Sequence, residues 1–151
     1  MQAKIALLQA ELPGIESAAQ YLTYSLERCA GFEAWQHPTP EQLERLEAMS
    51  ARFSRLSDLL IQRIFHLVDE IELVGASTVL DRIYRAEKRG WGQASELIKI
   101  RELRNTIAHE YALDALPEIY ASLIASSQHL LQTTQQAARY ANRLLQQHAA
   151  P

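Results

Sequence analysis

The sequence predicts an all-α protein, an antiparallel up-and-down bundle of four to five helices in a single domain, residues 1–151. Gly and Pro number only five each, while the helix-favouring residues Leu, Ala, Gln, Glu and Arg are abundant. Apolar residues recur every three or four positions, and no stretch alternates β-branched with polar residues. The length suits one domain with one core.

Two helices are predicted in the first half of the chain. Residues 5–29 form the first, with Pro13-Gly14 either kinking it or separating a short leading turn. Residues 31–38 form a loop. The second helix begins at residues 39–42, Thr-Pro-Glu-Gln, a capping box with Pro at the first helical position. An apolar stripe then continues to Ile71, so this helix has about eight turns, about 50 Å, and Gly75 is its predicted stop.

Three further helices are predicted in the second half. Ser77 caps a short helix that reaches residue 89 and is ended by residues 90–92, Gly-Trp-Gly. The fourth helix covers about residues 94–109. The fifth begins near residue 115 or 116, with Pro in its first turn, and continues towards residue 147.

Composition removes support from several functional classes. A single cysteine, Cys29, excludes an internal disulfide framework and a multi-cysteine metal site. No two histidines have the helical spacing of a metal pair, so neither a metal site nor a cofactor is expected. No apolar stretch approaches the length of a membrane span, and the first residues lack a signal-peptide pattern. We therefore expect a cytoplasmic protein with no membrane partner.

Polar residues with chemical potential gather near the end of the fourth helix. Asn105 and His109 are one turn apart and share a face, and Arg104 lies beside Asn105. Glu102 can pair with either of these neighbours, yet the Arg104 cation is expected to remain incompletely neutralised. The position of His109 near a helix C-terminus favours its charged form. The simpler interpretation is a helix end with polar side chains, His109 being a capping residue.

Arg104, His109 and Tyr111 together resemble a known signature. Their spacing is that of the R-x4-H-x-Y motif of HEPN-domain proteins, and specifically of the toxins encoded beside minimal nucleotidyltransferases. Asn105 is also the polar residue that this group commonly carries after the arginine. The specific part of the resemblance covers residues 104–111. The rest is architectural, because HEPN domains are helical bundles of this size.

The resemblance implies a metal-independent endoribonuclease that acts as a homodimer, with the two motifs facing each other. His109 would be the general base for a ribose 2′-hydroxyl, Arg104 would neutralise charge on the phosphorane, and Asn105 would orient the phosphate or the imidazole. The substrate would be RNA, because DNA lacks the 2′-hydroxyl. Tyr111 would accept AMP from a nucleotidyltransferase antitoxin, and the added negative charge would silence the site.

A basic segment precedes and includes the start of the motif. Residues 82–104 hold seven basic and three acidic side chains, a local charge of +4 on a chain of net charge −3. Such a segment could attract phosphate, although a solvated helix face has the same composition. Trp91 could stack on a base but is more typical of a core residue. The candidates for RNA binding are Lys88, Arg89, Lys99 and Arg101.

Asp58, on the polar side of the second helix, has two interpretations. It could approach His109 and fix its tautomer, or form an ordinary surface pair with Arg55. Two functional alternatives to the ribonuclease also stay open. One is a non-catalytic HEPN binding module that presents substrate to a nucleotidyltransferase or docks to it. The other is a purely structural helical adaptor.

Overall fold

The computed structural model describes residues 1–109 and 116–149, with the backbone alone at His109 and Leu116. These residues form an all-α helical bundle, as predicted. The helices are α1 (Gln2–Arg28), α2 (Pro40–Ser57), α3 (Phe65–Ile71), α4 (Val79–Lys88), α5 (Ala94–His109) and α6 (Leu116–Gln147). A 3-10 turn, Phe32–Ala34, lies between α1 and α2, and a π-helical segment, Asp58–Ile64, joins α2 to α3.

The helix α2, the π segment and α3 form one continuous long helix over residues 40–71. Its predicted capping box is confirmed: the Thr39 hydroxyl accepts from the backbone N–H of Gln42, and the Gln42 side chain accepts from the N–H of Thr39. The first helix, α1, runs through Pro13 without a break, so no separate leading turn exists. The bounds predicted for the fourth helix, residues 94–109, are also confirmed.

Two predicted end signals are wrong by one or two residues. The long helix ends at Leu73 rather than Gly75, because Leu73 adopts the left-handed conformation with φ of 60°. The N–H of Val74 bonds to the carbonyl of Asp69, and that of Leu73 to Glu70, which is a Schellman ending. The helix α4 is capped by Thr78 rather than Ser77, because Thr78 forms a reciprocal capping box with Asp81.

Neighbouring long helices are antiparallel. Arg28 at the end of α1 pairs with Glu41 at the start of α2, whereas Lys4 at the start of α1 pairs with Glu70 in α3. Tyr140, late in α6, bonds to Glu72 beyond the end of α3. Consequently α6 runs parallel to the long helix and antiparallel to α1, and α5 rises between them in an up-and-down order. The short α4 packs on α3 and α5.

The apolar stripe of the long helix forms the centre of the core. Its residues Leu46, Met49, Phe53, Leu56 and Leu60 are fully buried, as predicted from their spacing. The core continues into α5 and α6 through further buried side chains. Within residues 1–109 and 116–149, none of the helices combines the length and apolar character that a membrane-spanning helix needs.

Candidate functional site

The motif lies on the last turns of α5. Its first part is described in full: Arg104 is half-buried and Asn105 is exposed. His109 is the last residue of α5, so the helix brings its backbone one turn beyond Asn105. The candidate AMP acceptor Tyr111 lies outside the described residues. The approach of Asp58 to His109 is likewise outside the side chains that are described.

Arg104 forms a two-point ion pair with Asp58 of the π segment. Its Nε donates to Oδ1 at 2.8 Å and its Nη2 donates to Oδ2 at 2.9 Å. The hydrogen bonds and charge of Asp58 raise the pKa of the Arg104 guanidinium. The cation expected to remain incompletely neutralised therefore has a carboxylate partner from another helix. Because Asp58 bonds to Arg104, the predicted surface pair with Arg55 is wrong.

A groove of about 390 Å³ opens beside this ion pair. The π segment forms one wall, with Gln62 and Arg63 among its polar side chains, and α5 forms the other with Arg101 and Asn105. The Asp58–Arg104 pair lines the groove as well. Exposed amide and guanidinium groups around a concave surface can bind an anion with several oxygens, such as a phosphate.

The π segment is a local departure that the periodicity analysis missed. Three stripe residues, Leu56, Leu60 and Ile64, follow one another by two successive steps of four. At 3.6 residues per turn each such step overshoots one turn by about 40°, so the stripe drifts around an α-helix. The wider π turn, bonded from residue i to i+5, absorbs that drift and keeps these three side chains buried. The repeated step of four was the available signal.

The basic segment is less available for RNA than its composition suggests. Lys88 and Lys99 are exposed and Arg101 lines the groove, so these three remain candidates. Arg89 is a correction: its side chain is only 12 % exposed and bonds to Asp69 at 2.7 Å. A guanidinium held in this way belongs to the core of the bundle and not to an RNA-binding surface.

Asp69 gathers a buried ionic cluster at the other end of the long helix. Arg85 donates to Oδ2 from Nε at 2.9 Å and from Nη2 at 2.7 Å, while Arg89 donates to Oδ1. Arg89 also lies 3.3 Å from Glu72, whose carboxylate accepts from the Tyr140 hydroxyl at 2.6 Å. Asp69 thereby raises the pKa of Arg85. We call these five residues the Asp69 cluster.

Trp91 packs against the Asp69 cluster. Its ring lies 5.2 Å from that of Phe65 and 5.1 Å from that of Tyr140, and the Arg89 guanidinium sits 5.1 Å from its centroid. Trp91 is buried and so is a core residue. The sequence signal for the cluster was an acidic residue between Val68 and Ile71 in an apolar stripe, which calls for a cationic partner.

Among the side chains that the structure describes, no group of three or more His, Cys, Asp or Glu residues could hold a metal ion. Comparisons with protein-family models, with curated proteins and with solved structures each returned no match.

Proposed function

We propose that this protein is a metal-independent endoribonuclease of the HEPN type. The observation that carries the proposal is Arg104. Its guanidinium is fixed at the edge of a polar groove, on a helix that ends at His109 and continues into the R-x4-H-x-Y motif. A fixed planar fork with an imidazole-bearing residue on the same helix is the equipment that cleavage of a phosphodiester by a neighbouring hydroxyl requires.

In the proposed reaction, His109 removes the proton from a ribose 2′-hydroxyl. The 2′ oxygen attacks the adjacent phosphorus, the bond from phosphorus to the 5′ oxygen breaks, and that oxygen leaves as a hydroxyl after taking a proton. The products are a 2′,3′-cyclic phosphate and a 5′-hydroxyl end. Arg104 donates hydrogen bonds to the phosphorane oxygens as their charge develops, and Asn105 orients the phosphate or the imidazole.

The proposed assembly is a homodimer in which the two motifs share one cleft. Its proposed regulator is a nucleotidyltransferase antitoxin that transfers AMP to Tyr111. The adenylyl phosphate would compete for the Arg104 cation that the RNA phosphate needs. We expect Tyr111→Phe to cleave RNA as wild type does but to escape modification, with peptide mass spectrometry locating the added mass. Modification confined to Tyr84 or Tyr120 would contradict this role.

A non-catalytic binding module is the second candidate, and one observation favours it. Asp58 neutralises Arg104, Arg89 is buried, and the chain as a whole carries a charge of −3. Less cation is therefore free to attract RNA than the sequence suggests. Such a module would bind a nucleotidyltransferase or its substrate, and it would leave RNA intact.

Cleavage assays separate the two candidates. Purified protein is incubated with labelled RNA, and with DNA of the same sequence, with and without EDTA. We expect cleavage of RNA alone, unaffected by EDTA, and a loss of about 100-fold or more with His109→Ala or Arg104→Lys. His129→Ala, an exposed histidine on α6, and Arg55→Lys, an exposed arginine on α2, are matched controls that retain activity. Intact RNA with wild-type protein would favour the binding module.

A further inference from the structure

Asp58 occupies only one edge of the Arg104 guanidinium. The two hydrogen bonds use Nε and one hydrogen of Nη2, which together form the side of the planar group. The end of the group, formed by Nη1 and the second hydrogen of Nη2, makes no hydrogen bond to a described residue. A guanidinium can donate two parallel bonds from either edge, so the end remains suited to a phosphate.

The environment of the pair is consistent with ligand access. The Asp58 side chain is 43 % exposed and that of Arg104 is 34 % exposed, so neither is sealed in the core. Both line the 390 Å³ groove, with Arg101 and Asn105 nearby on α5. Asp58 also begins the π segment, a type of helical irregularity that is frequent at functional sites.

We propose that Asp58 is a positioning residue that holds the side of the Arg104 guanidinium, so that its free end binds a phosphate of single-stranded RNA in the groove. This inference rests on the proposed ribonuclease function and adds a residue to that site. The carboxylate fixes the direction of the fork and, at the same time, cancels one positive charge. Asp58 therefore improves the geometry of the transition state while it weakens the attraction between the protein and RNA.

These two effects have opposite signs, which makes them separable. Asp58→Asn keeps the size of the side chain and one oxygen acceptor but removes the charge and the second acceptor. We expect this variant to bind RNA several-fold more tightly, with a salt dependence of log Kd steeper by about 0.7. We also expect kcat to fall by about tenfold or more, because the fork is no longer held at two points. Asp58→Glu should recover part of kcat.

Binding is measured with a 2′-O-methyl oligonucleotide, which the enzyme cannot cleave, and kcat with the matching RNA. Glu33→Gln is the control for charge, since Glu33 is an exposed carboxylate that makes no ion pair with a described residue. It should change neither kcat nor the salt slope appreciably. A purely structural role for Asp58 would lower the melting temperature and the active fraction, and it would not tighten binding.

Three results would overturn the inference: an unchanged kcat in Asp58→Asn, an increased kcat, or weaker binding of the oligonucleotide. A wild-type protein that never cleaves RNA would instead overturn the proposed function. In that case the Arg104 Nε–H resonance in a ¹⁵N NMR spectrum still decides the inference. A resonance that shifts on oligonucleotide binding and is lost in Asp58→Asn supports the positioning role, whereas a resonance unaffected by either change contradicts it.

Discussion

Two aspartates of the long helix pair with arginines, yet they do so in different surroundings. Asp69 is 4 % exposed and holds two guanidinium groups from α4 and the turn after it, within the Asp69 cluster. Asp58 is 43 % exposed and holds one guanidinium from α5, at the wall of an open groove. The same pair of functional groups thus serves two purposes. Burial commits the first pair to the fold, whereas exposure leaves the second able to exchange partners with a ligand.

The largest effect on stability is expected at Asp69. Asp69→Ala leaves two guanidinium groups in a largely buried place without their carboxylate, so the free energy of unfolding should fall by about 3–5 kcal/mol. Urea denaturation followed by circular dichroism measures this. A loss below about 1 kcal/mol would show that Asp69 behaves like an exposed pair, and the contrast with Asp58 would disappear.

A pH-dependent contribution is expected from Tyr140 in the same cluster. Its burial, followed by its hydrogen bond to Glu72 and the charge of that carboxylate, raises the pKa of the Tyr140 phenol. A raised folded-state pKa contributes stability that is full below the ordinary tyrosine pKa of about 10 and is lost as pH rises through the folded value.

Tyr140→Phe tests this contribution. We expect the variant to lose about 1–2 kcal/mol near neutral pH, because it lacks the bond to Glu72, and to approach wild type in alkaline solution. Denaturation at a series of pH values gives the difference. A constant gap between the two proteins from pH 7 to above pH 10 would contradict the assigned cause.

A smaller coupling is expected at the groove. A double-mutant cycle of Asp58→Ala and Arg104→Ala should give a coupling energy of about 0–1 kcal/mol, because both side chains are partly exposed. The same cycle with Asp69→Ala and Arg85→Ala should give a larger value. Equal coupling energies would mean that burial does not distinguish the two pairs.

The smallest effect concerns the end of the long helix beside the Asp69 cluster. Leu73 is left-handed at φ of 60° and 78 % exposed, so its side chain gains little from burial while its backbone conformation is costly. Leu73→Gly should therefore raise the free energy of unfolding by up to about 1 kcal/mol and leave both ion pairs intact. Destabilisation would indicate that the Leu73 side chain contributes more packing than its exposure suggests.

The helices were predictable because their signals are local. The Thr39 capping box, the apolar steps to Ile71 and the residues that end α4 each act within a few positions of one another. The partners of Asp58 and Asp69 were not predictable in this way. They depend on which faces of α4 and α5 meet the long helix, and that choice involves residues up to 46 positions apart. The π segment decides it further, because it changes the rotation of the helix between the two aspartates.

That change of rotation restricts how the length of this chain can vary. Residues eleven apart on an α-helix point in nearly the same direction, and Asp58 and Asp69 are eleven apart with the π segment between them. Deleting one residue there would let the segment close into ordinary α-helix and rotate everything beyond it by about 100° relative to Asp58. One of the two arginine partnerships would then fail. An aligned sequence that keeps both aspartates must therefore keep their spacing, and any gap belongs in the loops around residues 31–38 and 74–77.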